Sequence, residues 1–345
     1  MEERVFRNKV YWLTFLFSIL VIWVHSYNGV LYLGDGEEAR AVMRLERFLG
    51  NTLGQVAVPG FFLVSSYLFF RNFRMEELRR KWTSRIKSVL VPYIVWNSLY
   101  YFGYVLGSRL PMVKDIIGKG EIPLNLPYAV EAILHYKYNY VFWYLHQLIL
   151  LILLAPLIYL AVKRLWTGIA CMFLILASIY FGRTIPALNL DALFYYLCGA
   201  FLAVHKRRTA ESPWNWRRCV AGLGLIVTGS ILGRVNLPGE SIGEIAAATV
   251  VFRLFVPMGL WVMMPENCLL EAAGWMKQNF FLYAVHFALV RLINKTGALL
   301  LPSEPVFPVV LFLMMPAIAV FLSWQISRFL RRFLPQLFRL LNGGR

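Results

Sequence analysis

The chain has 345 residues, 59% of them hydrophobic and 16% aromatic, with a mean hydropathy of +0.60. A soluble domain of this length cannot bury that much apolar surface, and several runs of about 20 residues lack charge, so an all-α, polytopic membrane helical bundle is predicted. The net charge of +17 suggests nucleic acid in a soluble protein, but here Lys and Arg gather in alternate loops, which assigns it to membrane topology and leaves no nucleic-acid partner.

Ten spans are predicted, at 10–33, 50–70, 88–107, 141–162, 167–182, 188–204, 219–234, 245–264, 278–298 and 306–330. With the N-terminus inside, the inner segments and tail hold 23 of the 35 basic residues, and 11 of the 18 acidic residues fall outside. That bias predicts both termini of a multi-pass protein in the cytoplasm. The first apolar stretch is long and has no small-residue cleavage site, so no cleavable signal is expected. With no soluble insert, repeat or low-complexity segment in view, 1–345 is read as a single membrane-embedded domain. The four cysteines are isolated, with no CxxC and no metal-ligand spacing. No metal and no bound cofactor are expected.

In chain order, the first span places Thr14, Ser18 and His25 on nearly one line of a helix, because seven or eleven residues return a 3.6-residue period to the same face. An ionisable group in a span normally faces protein or water. His25 is therefore either a structural histidine near the interface or a catalytic base. The segment 34–49 is amphipathic and reads as a short interfacial helix. In the second span, Ser65 and Ser66 follow Pro59-Gly60, where small hydroxyl residues serve close packing as readily as chemistry. The inner loop 71–87 carries seven basic and two acidic residues; it is an orientation signal, or a cradle for a polyanion such as the phosphates of coenzyme A. Pro92 and Asn97 mark the third span. The outer segment 108–140, with Pro111, Pro123, Pro127 and Tyr128, Tyr136, Tyr138 and Tyr140, reads as a loop whose aromatics anchor at the headgroups or stack on sugar. Trp143, Tyr144 and His146 follow at the fourth span. Arg253 is a full charge in an apolar helix and needs a partner or water, and His286 lies near mid-span in the ninth.

Several stretches carry a resemblance that no one of them would establish. VIWVHSYN (21–28), VPGFFLVSSYLFF (58–70), SRIKSVLVPYIVWN (84–97), FWYLHQLILLILLAPLIY (142–159), FYYLCGAFLAV (194–204) and NFFLYAVHFALV (279–290) together resemble the acyltransferase-3 family, bacterial integral membrane O-acyltransferases of surface sugars, fucose 4-O-acetylase-like. The closing NGGR is similar to the tail of a glycan-associated branch. Three positions depart from the family pattern: Thr14 stands where many members have Arg or Lys, Ser88 replaces the second basic residue of an RxxR pattern that Arg85 begins, and Ser65-Ser66 stands for a serine-glycine pair. Arg7, Lys9 or Arg253 are the candidates to replace the missing cation at Thr14.

The resemblance implies transfer of an acyl group, most simply acetyl, from cytosolic acyl-CoA (acetyl-CoA) as co-substrate to a hydroxyl of a cell-surface or exported glycan or a lipid-linked sugar. It makes His25 the general base, a role that suits imidazole because its unperturbed pKa of about 6.5 is near working pH. It assigns acyl-CoA binding to Arg79, Arg80, Arg85 and Lys87. Ser65, Asn97, Trp143, Arg253 and His286 are left to support the oxyanion or substrate. The pantetheine arm reaches His25 through a central cavity, or the acyl group is relayed covalently. The competing readings are a transporter or flippase of a glycan or acylated lipid precursor, and a non-catalytic relative of the family.

Overall fold

The computed structural model describes residues 1–233 and 242–344. Arg234, at the end of the seventh predicted span, and Arg345 of the closing NGGR lie outside the described residues. The main helices are α1 (Glu3–His25), α2 (Glu37–Arg47), α3 (Ala57–Phe70), α4 (Val91–Gly107), α5 (Trp143–Leu153), α6 (Ala155–Val162), α7 (Leu165–Tyr180), α8 (Leu190–His205), α9 (Trp216–Gly233), α10 (Ile242–Met263), α11 (Asn279–Leu300) and α12 (Val306–Phe333). The β structure among the described residues is one isolated bridge, Ile185 with Leu188. Among the described residues, five helical runs are long and apolar enough to cross a membrane: Glu3–Leu33, Glu37–Phe70, Met75–Gly107, Ile245–Met263 and Val306–Phe333. The chain is an all-α membrane protein.

Two features differ from the sequence expectation. The fourth predicted span is a pair, Tyr140–Leu153 and Ala155–Val162, bent by 65°. Pro156 sits at the start of the second piece, where it lacks the N–H that would continue the helix before it. The segment 108–140 is not all loop: it contains helices Pro111–Ile117 and Leu126–Leu134. Their prolines occupy first-turn positions, where a missing N–H costs nothing, and the Asn125 side chain caps the second by accepting from the Tyr128 N–H at 3.0 Å.

The chain packs as two compact units. The first comprises Met1–Val24, Arg47–Lys81 and Leu150–Asn279. Its core gathers Leu13, Phe17, Leu20 and Val21 of α1 with Val56 and Ala57. Small residues bring helices close. A Cβ on Gly199 of α8 would lie 2.5 Å from the Leu63 carbonyl of α3, and the Ser66 hydroxyl donates to the Tyr196 carbonyl at the same crossing. That is the packing role open to Ser66. A buried ion pair, Lys9 Nζ to Glu266 Oε2 at 3.1 Å, ties α1 to the stretch after α10.

The second unit comprises His25–Glu46, Trp82–Ile149 and Phe280–Arg345. Phe142 stacks on Tyr283 at a centroid distance of 5.4 Å, and the Tyr283 hydroxyl donates to the Val141 carbonyl at 2.6 Å. Tyr101 and Val105 of α4 form a second apolar group with Ile122, Ala132 and Tyr138 of the 108–140 segment. Trp96 Nε1 donates to the Leu341 carbonyl at 2.9 Å and holds the terminal helix Pro335–Leu341.

Candidate functional site

His25 is the last residue of α1, and the backbone immediately beyond it is held in place. Residues 26–28 are non-helical, and a short helix, Gly29–Leu33, follows. The buried Glu46 carboxylate accepts the backbone N–H groups of Asn28 (2.7 Å) and Gly29 (3.0 Å), which are donors that a helix start leaves without intrahelical partners. Asn294 of α11 donates from its amide to the Ser26 carbonyl at 3.2 Å. The break after His25 is thereby tied to α2 and α11.

The imidazole lies among aromatic neighbours of the second unit. Its Nδ1 is 2.7 Å from the Tyr140 hydroxyl, its ring is 5.4 Å from that of His286, and the Phe287 ring meets it edge-on at 5.7 Å. Phe287 also meets the Tyr140 ring at 4.6 Å. A phenol hydroxyl both donates and accepts, so this contact permits the tautomer with the proton on Nδ1 and the lone pair on Nε2.

His286 is more constrained. Its Nδ1 lies 2.6 Å from the Tyr283 carbonyl oxygen, which can only accept, so Nδ1 carries the proton and Nε2 carries a lone pair. That Nε2 is buried and has no hydrogen-bond partner among the described residues. Two imidazoles thus stand together, one with its tautomer fixed by backbone, the other touching a phenol.

The other candidates are placed as follows. Asn97 of α4 is buried, donates to the Tyr93 carbonyl at 2.9 Å, and leaves its Oδ1 without a partner among the described residues. Trp143 opens α5 and is half-buried. Lys87 lines a cavity of about 430 Å³ with Gln336 and Arg339, and the half-buried Arg85 ends the helix Leu78–Arg85. These belong to the second unit. Ser65, Arg79, Arg80 and Arg253 belong to the first. Arg79 and Arg80 are exposed, and Arg80 pairs with Glu77 at 2.7 Å. Arg253 interacts electrostatically with Asp191 and Tyr195.

The proposed substitutes for a cation at Thr14 have partners of their own. Arg7 pairs with Glu3 at 2.8 Å, and Lys9 is committed to Glu266. Thr14 itself lies 2.9 Å from the Asn279 side-chain amide. Of the sequence candidates, the structure brings His25 and His286 together. Tyr140, Glu46 and Arg339 were not assigned these roles from sequence. Tyr140 stood in a tyrosine-rich stretch, Glu46 in an amphipathic helix and Arg339 in a basic tail, and none of those patterns singles out one residue.

Comparison with known proteins adds to this geometry. The family model described as an acyltransferase domain matches residues 10–328. The succinoglycan biosynthesis protein ExoH of Rhizobium meliloti (strain 1021) is 26% identical over 172 residues, covering 47% of this chain and 44% of that protein. The match therefore spans less than half of the relative's length. No solved structure matches the chain. The chain belongs to the acyltransferase-3 family.

Proposed function

We propose that this protein moves an acyl group, acetyl in the simplest case, from cytosolic acyl-CoA to a hydroxyl of a cell-surface or exported glycan, presented free or on a lipid. The observation that carries the reading is the pair of imidazoles, His25 and His286, with Tyr140 on Nδ1 of the first. Family membership supplies the acyl-transfer class, and the relative's part in succinoglycan biosynthesis favours a polysaccharide acceptor.

In this reading His25 Nε2 takes the proton of the acceptor hydroxyl as its oxygen attacks the thioester carbonyl. The C–O bond forms, the tetrahedral oxyanion collapses, the C–S bond breaks, and the proton passes from His25 to the departing thiolate. His286 Nε2 accepts a hydrogen bond from the acceptor and orients it. Arg79, Arg80, Arg85 and Lys87 bind the donor phosphates, while Ser65, Asn97, Trp143 and Arg253 support the oxyanion or substrate. The pantetheine arm enters by a cavity, with no covalent relay. The whole of 1–345 acts as one domain with ten spans, both termini in the cytoplasm, in the inner membrane.

Mass spectrometry of surface glycans from cells with the gene intact, deleted, or carrying His25→Ala or His286→Ala tests this. Loss of one acyl mass on deletion and in His25→Ala, with a protein that still inserts, is the expected result. A general base typically contributes about 10²–10⁴ in rate, so near-normal acylation in His25→Ala removes the assignment. Unchanged acylation with altered glycan export on deletion gives the case to a transporter.

A further inference from the structure

The first unit contains a cavity of about 390 Å³, within the roughly 300–1,000 Å³ range of small-ligand sites. Most of its wall is apolar: Phe6, Leu13 and Phe17 of α1, Leu63 of α3, Leu225 of α9 and Met258 of α10. Leu68 and Ala221 line it too and are themselves exposed, as are Val220, Leu223 and Val227 along α9. Leu68 lies on Glu37–Phe70 and Met258 on Ile245–Met263, two runs long and apolar enough to cross a membrane, whose exposed apolar atoms would meet acyl chains.

Its polar residues are neighbours. Arg218 Nη1 donates to the Thr209 carbonyl at 2.7 Å and to the Ser212 hydroxyl. Its Nε and Nη2 are buried with no hydrogen-bond partner among the described residues. Lys206, one turn before Ala210, also lines the space. Two acids approach this end, and both are engaged. Glu266 accepts from Lys9 and from the Trp214 N–H, and Glu211 accepts from Arg71, Tyr67 and Arg207. Buried guanidinium donors without acceptors are costly, and an anionic oxygen would satisfy them.

We propose that this cavity is a binding site for an anionic phospholipid, with an acyl chain along Phe17, Leu63 and Leu225 and the phosphate on Arg218 Nε and Nη2, assisted by Lys206. No reaction is assigned to it, and it is independent of the histidine pair.

The test uses the full-length protein purified in detergent and native mass spectrometry with three probes: dioleoylphosphatidylglycerol, dioleoylglycerol, which has the same chains and no phosphate, and palmitoyl-CoA. The wild type should retain phosphatidylglycerol in preference to dioleoylglycerol. Arg218→Gln should weaken phosphatidylglycerol roughly tenfold, the scale of a lost hydrogen bond to a charged group, and leave dioleoylglycerol unchanged. Leu225→Trp fills the apolar part without touching charge and should weaken both lipids. It keeps the test decisive if Arg218→Gln misfolds by circular dichroism. Equal retention of the two lipids by the wild type overturns the proposal, as does displacement of phosphatidylglycerol by a tighter palmitoyl-CoA, which would make the cavity a donor-chain site.

Discussion

The Tyr140 hydroxyl lies 2.7 Å from Nδ1 of His25, across 115 residues of sequence. A hydrogen bond to one imidazole nitrogen orients the ring, and Nε2 of His25 is left free to act as base when Nδ1 donates to the phenol oxygen. Tyr140→Phe keeps the ring that packs on Phe287 and removes the hydroxyl. Acyl transfer by the purified variant should fall roughly tenfold or more in kcat with little change in KM for either substrate, because a misoriented base acts on the transition state. Unchanged kcat, or an effect confined to KM, would mean that Tyr140 is only a packing residue.

The buried Lys9–Glu266 pair gives a stability prediction. Both side chains are withdrawn from the surface, at 0% and 3% exposure, and Trp261 covers the ammonium at 4.8 Å. Lys9→Met leaves the Glu266 carboxylate buried without its cation, a change that costs about 3–5 kcal/mol in comparable pairs. Lys9→Met combined with Glu266→Gln removes both charges and should recover most of that loss. Thermal denaturation of the three proteins in one detergent checks this. A double variant no more stable than Lys9→Met would show that the pair is not the cause.

The membrane character and the family were legible in the sequence because each is written locally, in long apolar runs and in short motifs. What was not legible depends on chain segments meeting. Lys9 read as a stand-in for a missing cation at Thr14, yet its partner Glu266 lies 257 residues away and has no local pattern to mark it. Glu46 sits in an amphipathic helix like any surface acid, but its carboxylate holds the N–H groups of Asn28 and Gly29 just past His25. The bend between α5 and α6 had a sequence signal in Pro156. A continuous hydropathy profile concealed it.

Glu211 carries a pH dependence. Burial pushes its carboxyl up, but hydrogen bonds from Arg71, Tyr67 and Arg207 outweigh that and hold it below its ordinary 4.5. A depressed folded-state value contributes stability that is fully present above the unfolded value and is lost as pH falls through the folded one. Arg71→Gln should therefore lower Tm at neutral pH, and the gap to wild type should narrow below pH 4.5. Melting curves for both proteins between about pH 7 and 3.5 test the sign. A gap that widens with acid contradicts it.

The basic loop and the terminal helix make a prediction about the donor. Lys87 and Arg339 line one cavity of about 430 Å³ with Gln336, so two cations from distant parts of the sequence face the same space. Phosphates of acyl-CoA fit such a pair, and exposed charges of this kind act by attraction that salt screens over a Debye length of about 8 Å at physiological strength. Arg339→Ala and Lys87→Ala should each raise KM for acyl-CoA several-fold, on the order of 1 kcal/mol of binding, with KM for the glycan unchanged. Raising salt should weaken donor binding to the wild type more than to either variant. Arg85→Ala belongs to the same test, because Arg85 is half-buried whereas two other basic residues of the loop, Arg79 and Arg80, are exposed and Arg80 is already paired with Glu77. Equal losses for donor and glycan in all three variants would place these cations outside the donor site and leave the loop as an orientation signal.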